Sequence, residues 1–182
     1  MITTMEVLTV KTSDIRVHQV IDECADLSYL GEYTNKHPGY DELKRGSAFD
    51  RFPESGRDYR EYQYFIPANT VEEHRKGLIA LGYSKGDAEE LARSYCKQDY
   101  KRYEALNRGD WQPIGIYATA NVLCGSCGEV SKIQSYGLWG IESDSEETIE
   151  ETTEEQIKDL KDELTKMGVT IIEDDDPVIV YE

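Results

Sequence analysis

The sequence predicts an α+β fold: an antiparallel sheet with a central hairpin, at about residues 111–143, covered by two or three helices. The hairpin is indicated by two β-rich runs, 111–124 and 130–143, that a short glycine-containing segment separates. Capped helical patterns precede and follow it. Because strands and helices are grouped rather than strictly alternating, the order of elements is typical of α+β domains.

The first 70 residues predict strands separated by an irregular segment. Residues 5–21 are rich in β-branched side chains and predict one or two strands with a turn near Ser13-Asp14. Residues 22–56 interleave Gly, Pro, Asn and aromatic residues with charged ones, and predict a long irregular segment of a kind that is often functional. Residues 59–66 alternate like a short strand that ends at Pro67.

Capping residues predict two helices before the hairpin. Thr70 and Glu73 form a capping box, which begins a helix over 71–81. Ser84 caps a longer helix over 87–107, and the apolar positions of this helix recur at helical spacing.

The hairpin is predicted to lie at the centre of the sheet, and its first run has the pattern of a strand. Its apolar residues alternate with others along the run, as expected for a strand with one face towards a core. The alternating set is Ile114, Ile116, Ala118, Ala120 and Val122.

A third helix is predicted from Glu146 to Met167, capped by Ser145 or Ser143. Its narrow apolar stripe has steps close to a heptad, so it also permits a helix-mediated homodimer. The stripe consists of Ile149, Ile157, Leu160, Leu164 and Met167, with Thr153 filling the gap. Two short β candidates, 169–172 and 178–182, then flank an acidic turn.

The charge distribution is strongly asymmetric along the chain. The formal net charge is −17, and residues 142–182 carry 16 Asp or Glu against 3 Lys, a net of −13. Such a concentrated negative field repels nucleic acid and anionic membranes, and it attracts basic protein surfaces. The expected partner is therefore the basic surface of a protein, with no direct contact to nucleic acid or membrane.

Length and hydropathy predict a single α+β domain over 1–182, with the acidic helix and tail at 142–182. No apolar run approaches the roughly 20 residues that span a bilayer, and no secretory signal pattern is visible. The chain is therefore expected to be cytoplasmic. Its four cysteines are then expected to be reduced thiols.

Cys124-Gly-Ser-Cys127 is the sharpest local motif. Two thiols at this spacing form half of a zinc site, and Cys24 with a histidine would have to complete it. A redox pair is the other chemical interpretation, but it favours a helix after the first cysteine, and strand-like sequence follows here. A hairpin turn that contains cysteines is favoured, so neither a metal nor another cofactor is predicted.

Sequence signatures of catalysis are absent. No phosphate-binding loop, dinucleotide-binding glycine motif, zinc-protease motif or nucleophile elbow occurs. The three histidines stand without a metal-like spacing, and the run Glu173–Asp176 lacks the calcium-loop pattern. No catalytic residue is predicted, and the protein is expected not to be an enzyme.

The acidic helix and turn form the candidate partner-binding site. An α-helix rises about 1.5 Å per residue and duplex DNA carries one charge per about 1.7 Å of axis, so a densely acidic helix can approximate a row of phosphates. The alternative is a solvated helix face with a charged terminus. The candidate residues are Glu146, Glu147, Glu150, Glu151, Glu154 and Glu155, with Asp174, Asp175 and Asp176 as a secondary set.

The strings GDWQPIGIYATA (109–120) and SYGLWGIESDS (135–145) resemble a family of phage- and prophage-encoded proteins. The resemblance covers about half of the chain and implies no catalytic residues. It implies an accessory phage context, in which small acidic proteins often inhibit host defence or nucleic-acid enzymes.

The first hypothesis is an anti-CRISPR-like, non-enzymatic inhibitor in the host cytoplasm that acts by DNA mimicry. The others are a small enzyme or nucleotide-binding protein with a site in 22–56, and a metal-stapled structural protein.

Overall fold

The computed structural model describes residues 8–52, 61–123 and 130–182. Within these residues the chain forms ten strands and four α-helices, which confirms the α+β class. The strands are β1 (Thr9–Lys11), β2 (Arg16–Ile21), β3 (Gly31–Thr34), β4 (Phe49–Asp50), β5 (Tyr64–Pro67), β6 (Pro113–Leu123), β7 (Val130–Gln134), β8 (Leu138–Glu142), β9 (Thr170–Ile172) and β10 (Val178–Tyr181). The helices are α1 (Tyr40–Arg45), α2 (Val71–Ala80), α3 (Lys85–Arg108) and α4 (Glu146–Lys166).

The chain divides into two compact units. We call Met1–Ala25 with Trp111–Glu182 the sheet unit, and Asp26–Asp110 the helical unit. The sequence pattern predicted one domain over 1–182 and did not separate these units. The helical unit is a continuous insertion between two segments of the sheet unit.

The main sheet has the strand order β10–β2–β6–β7, and β8 also pairs with β6. Of the predicted central hairpin, β6 is central, and β2 lies antiparallel along one of its edges. The second run is not one central strand: it is interrupted at 135–137 and forms β7 and β8, which both pair antiparallel with the other edge of β6. The last strand, β10, pairs in parallel with β2, and β9 pairs in parallel with β1 in a separate two-stranded sheet. The segment that links β6 to β7, including Cys124 and Cys127, lies outside the described residues.

The core of the sheet unit lies between one face of this sheet and α4. All five alternating residues predicted from β6 belong to it, together with Val17 of β2 and with Leu160 and Leu164 of α4, which are fully buried. Burial of this apolar surface holds α4 on the sheet. The other predicted helices, α2 and α3, belong to the helical unit.

The buried face of α4 differs in detail from the predicted stripe. Thr152 and Gln156 are buried, whereas Thr153 is only half-buried and Met167 is 53% exposed. Gln156 is buried because its Oε1 accepts the backbone N–H of Gly137 at 2.9 Å. The apolar residues of α4 pack against the sheet. A homodimer stays a prediction, and it would need a surface other than this stripe.

The helical unit packs α2 against α3 and contains a three-stranded sheet in the order β3–β5–β4. Phe65 of β5 is fully buried, and its ring contacts the rings of Tyr33, Tyr100 and Tyr103. Thr70 and Glu73 form the predicted capping box at the start of α2. Ser84 caps α3, with its hydroxyl accepting the N–H of Asp87 at 3.2 Å.

Short elements occupy the segment predicted to be irregular. Strands β3 and β4 and helix α1 all lie within 22–56. Both strands pair with β5, so Tyr33 and Phe49 each lie opposite Phe65. An aromatic core shared with a distant strand therefore orders a segment whose local composition indicates turns.

Candidate interaction surface on the C-terminal helix

The six candidate glutamates of α4 are all exposed, on the helix surface away from the buried face. Among the residues that the structure describes, none of them forms a hydrogen bond or an ion pair with another side chain. They form two rows at i, i+4 spacing, so each row presents like charges one helical turn apart. The first row is Glu146, Glu150 and Glu154, and the second is Glu147, Glu151 and Glu155.

The start of α4 is built without a side-chain cap to the backbone. Ser145 is the N-cap residue, and its hydroxyl pairs with the Thr148 hydroxyl at 2.8 Å rather than with a backbone N–H. Ser143 instead accepts the N–H of Gln112 at 2.9 Å, which ties the end of β8 to the start of β6. Glu146 and Glu147 lie in the first turn, where the helix dipole favours negative charge.

In the acidic turn after β9, Glu173 and Asp174 accept hydrogen bonds from other parts of the chain. Glu173 accepts hydrogen bonds from Lys161 Nζ at 2.8 Å and from the Thr12 hydroxyl at 2.6 Å. Asp174 accepts the backbone N–H of Ser13 at 2.9 Å and its hydroxyl at 2.8 Å. These bonds lower the pKa of both carboxyl groups, with the Lys161 bond as the main cause for Glu173 and the Ser13 N–H for Asp174.

Of the secondary candidates, Asp174 therefore has a structural partner, whereas Asp175 and Asp176 are exposed. Asp174 holds the turn against the single 3₁₀ turn between β1 and β2. Only Asp175 and Asp176 of this run remain available to a partner.

An aromatic stack on the other face of the sheet has no counterpart in the sequence predictions. The ring of His18 stacks on Tyr117 at 4.7 Å, and Tyr117 stacks on Trp139 at 6.3 Å. His18 is buried, with its Nδ1 paired to Glu182 at 2.9 Å and its Nε2 to Thr119 at 3.0 Å. The only sequence signal for the stack is a glycine at 115, opposite the tryptophan of the GLWGIES string.

A cavity of about 330 Å³ with several charged side chains in its lining lies in the helical unit, and part of the 22–56 segment lines it. Glu42, Arg45 and Ser47 line it from that segment, and Thr70, Glu89 and Arg93 line it from α2 and α3. Arg93 pairs with Glu89 at 2.8 Å and also donates to the carbonyl of Arg45. The cavity therefore contains both charge signs, and much of its charge is neutralised internally.

A buried ion pair in the helical unit is a second feature missed from sequence. The Arg51 side chain is 4% exposed, and its Nε lies 2.5 Å from Glu104 Oε1. The same carboxylate accepts the Tyr33 hydroxyl at 2.9 Å, and the guanidinium lies 4.0 Å from the Tyr33 ring centroid. Burial and the Glu104 bond raise the pKa of Tyr33. The group links β3, the residue that follows β4, and α3.

The structure describes two of the four cysteines, Cys24 and Cys96. Cys124 and Cys127 lie outside the described residues. Across the described ranges, no group of three His, Cys, Asp or Glu side chains is arranged to hold a metal ion. Cys96 is fully buried on α3, as predicted for a small core residue, and Cys24 is exposed.

No described helix has both the length and the apolar content needed to cross a membrane.

Comparison of the chain with models of known families, with curated proteins and with solved structures gave no match. The chemistry of its surfaces is therefore the basis on which its function can be argued.

Proposed function

We propose that the chain is a non-enzymatic binding protein whose α4 glutamates contact a basic surface of a bacterial protein. The observation that carries the proposal is the set of six exposed glutamates without a described internal partner. Their charges are available to an external cation, unlike those of Glu104 and Glu173.

The arrangement is not explained by helix stability. Like charges at i, i+4 destabilise a helix by about 0.2–0.5 kcal/mol per pair. The helix dipole offsets this only in the first turn, at Glu146 and Glu147. Lys158 follows Glu154 at i, i+4 and Glu155 at i, i+3, which is favourable for the helix. Glu150 and Glu151 lie beyond the first turn and have no such neighbour, so their position supports a role in binding.

The charge spacing favours a partner that itself binds nucleic acid. Six charges within the ten residues 146–155 span about 15 Å, or one charge per about 2.5 Å, against about 1.7 Å for duplex DNA. A basic groove that accepts a phosphate backbone would accept this helix. Together with the resemblance to phage proteins, this supports inhibition of a bacterial defence or nucleic-acid-processing protein, in the host cytoplasm, by DNA mimicry.

Two charge-matched variants test the proposal. The first replaces Glu150, Glu151, Glu154 and Glu155 with Gln. The second neutralises four exposed acidic residues elsewhere, Glu23, Glu32, Asp41 and Glu90. Both have the same net charge, so they separate the α4 surface from overall acidity. Removal of repulsion should leave the α4 variant folded, with a thermal midpoint at or above that of wild type.

Each protein is immobilised and used to capture partners from a bacterial lysate, with duplex DNA as competitor. We expect nucleic-acid-binding proteins to be retained by wild type and by the second variant, lost with the α4 variant, and displaced by DNA and by salt. Equal retention by the α4 variant, or equal loss with both variants, would contradict the proposal.

A second candidate function is the binding of a small polar ligand in the helical unit. The cavity of about 330 Å³ favours it, since ligand pockets begin at about this volume. A thermal-shift panel of nucleotides, with Arg45→Ala as the control variant, tests it. A shift for wild type that the variant loses would support a nucleotide site, and no shift across the panel would count against it.

A further inference from the structure

Strand β10 presents an unpaired edge of the main sheet. It pairs with β2 on one side, and no other described strand pairs with it on the other. Its side chains are unusually exposed for apolar residues: Val178 is 51% exposed, Ile179 45% and Tyr181 76%. The edge is therefore accessible along most of the strand.

The direction of its backbone groups follows from the hydrogen bonds to β2. The N–H groups of Val178 and Glu182 donate to Ile15 and Gln19, each at 3.0 Å. Because alternate residues of a strand direct their backbone groups to opposite sides, the N–H and C=O of Ile179 and Tyr181 face away from the sheet. These two residues offer a ready template for another strand.

The side of the sheet opposite β10 is formed by β7 and β8, and of these β7 is protected where β10 is not. Strand β7 carries Ser131, Lys132 and Gln134, and charged or polar side chains of this kind discourage pairing at an edge. Strand β10 reads VIVY, without a charge or a proline within it. Strands β7 and β10 therefore differ in the property that controls strand addition.

The ends of β10 are acidic. Asp175 and Asp176 are exposed before it, and Glu182 follows it with a side chain that is 51% exposed. Antiparallel pairing of two copies centred on Ile179 would place Asp176 of one copy opposite Glu182 of the other, and like charges directly opposite are destabilising. The charges disfavour a second copy and favour a segment with basic ends.

We propose that the outer edge of β10 binds, by strand addition, an extended protein segment with a β-branched centre and basic residues at both ends. Main-chain hydrogen bonds to Ile179 and Tyr181 would supply affinity, and Asp175 and Asp176 would select basic residues at one end. Glu182, whose Oε1 pairs with His18, would contribute at the other end through its second carboxylate oxygen. This inference does not rest on the proposed function, because α4 covers a face of the sheet and β10 forms its edge.

The test uses three peptides with the full chain: KKVTVTVKK, its acidic counterpart EEVTVTVEE, and KKVTPTVKK, in which proline blocks pairing. Amide hydrogen exchange by NMR is the main readout. In the free protein, the outward N–H groups of Ile179 and Tyr181 should exchange faster than that of Val180. The first peptide should slow exchange at Ile179 and Tyr181, and it should bind about tenfold more tightly than either of the others at low salt.

Two variants separate backbone pairing from side-chain contact. Ile179→Pro removes an outward N–H and should weaken binding about tenfold, whereas Ile179→Thr keeps it and should change binding little. If Ile179→Pro unfolds the chain, the exchange pattern of wild type with the three peptides still decides the question.

Three results would overturn the inference. The first is no binding of KKVTVTVKK, or equal binding of the acidic peptide. The second is a peptide that slows exchange at other amides and leaves exchange at Ile179 and Tyr181 unchanged. The third is a concentration-dependent dimer, seen by sedimentation, that protects these two amides without peptide, because the occupant would then be a second copy.

Discussion

The indole ring of Trp139 packs directly against Gly115, at a point in β6 where any side chain would overlap the ring. The pairing of β6 with β8 is irregular there, with a register shift between Ile114 and Ile116. Tyr117 extends the contact on the same face of the sheet. The glycine is therefore required by packing, and its contact with Trp139 links β6 to β8.

Replacement of Gly115 by Ala should destabilise the fold by about 1–3 kcal/mol, because the new Cβ meets the Trp139 ring. In a Trp139→Ala background the cost should fall by more than half. Gly77→Ala is the control, since nothing lies near that position in α2, and it should stabilise by about 0.5–1 kcal/mol. Urea unfolding compares wild type with the two single variants at this contact, the double variant and Gly77→Ala, and an unchanged cost in the Trp139→Ala background would exclude this explanation.

Glu104→Gln should destabilise the helical unit by about 2–4 kcal/mol, since it leaves the buried Arg51 guanidinium without its main counter-charge. The matched control is Glu89→Gln, which removes an exposed ion pair with Arg93 and should cost less than about 1 kcal/mol. Thermal and urea unfolding compare the two. Equal costs would show that burial does not set the energy of the Arg51 pair.

Asp174→Asn should lower stability at neutral pH, and its effect should disappear in acid. The Ser13 N–H holds the Asp174 pKa below its ordinary value. A lowered pKa contributes stability that is present above the ordinary value, about 3.9, and is lost as pH falls through the lowered value. Thermal midpoints of wild type and Asp174→Asn, measured from pH 7 to pH 2.5, should therefore begin to converge as pH falls below about 4 and should meet only once pH has passed the lowered pKa.

Asp175→Asn is the control for this series, because Asp175 is exposed and lacks the bonds to Ser13. Its midpoints should follow those of wild type at every pH. A constant difference between wild type and Asp174→Asn down to the lowest pH would contradict a role for the charged carboxylate.

Cys96 should resist alkylation in the folded protein, and Cys24 should react. Burial, and then the nearby Asp99, raise the pKa of the Cys96 thiol to about 11, so little thiolate forms at pH 8. Iodoacetamide labelling followed by peptide mass spectrometry measures each site. Cys96 should be labelled only after addition of denaturant, and rapid native labelling would show that α3 opens locally.

The sequence predicted best the features that depend on neighbouring residues. The helix starts at Thr70 and Ser84 follow from contacts within three residues, and both caps are present. The alternation in β6 correctly assigned its core face, because strand periodicity is local. The pairing of β3 with β5 could not be predicted, since Tyr33 and Phe65 are 32 positions apart and neither segment specifies the other.

The candidate surface likewise has features that the sequence determined and features that only the tertiary structure decided. The sequence by itself determined that acid is concentrated on one helix, and the 3.6-residue period directed those glutamates away from the apolar face of α4. Only the tertiary structure decided which carboxylates are tied internally. Glu173 and Asp174 meet Lys161 and Ser13, whereas the six glutamates of α4 meet no described partner. Charge is a property of composition, but its pairing depends on contacts between distant residues that folding alone brings together.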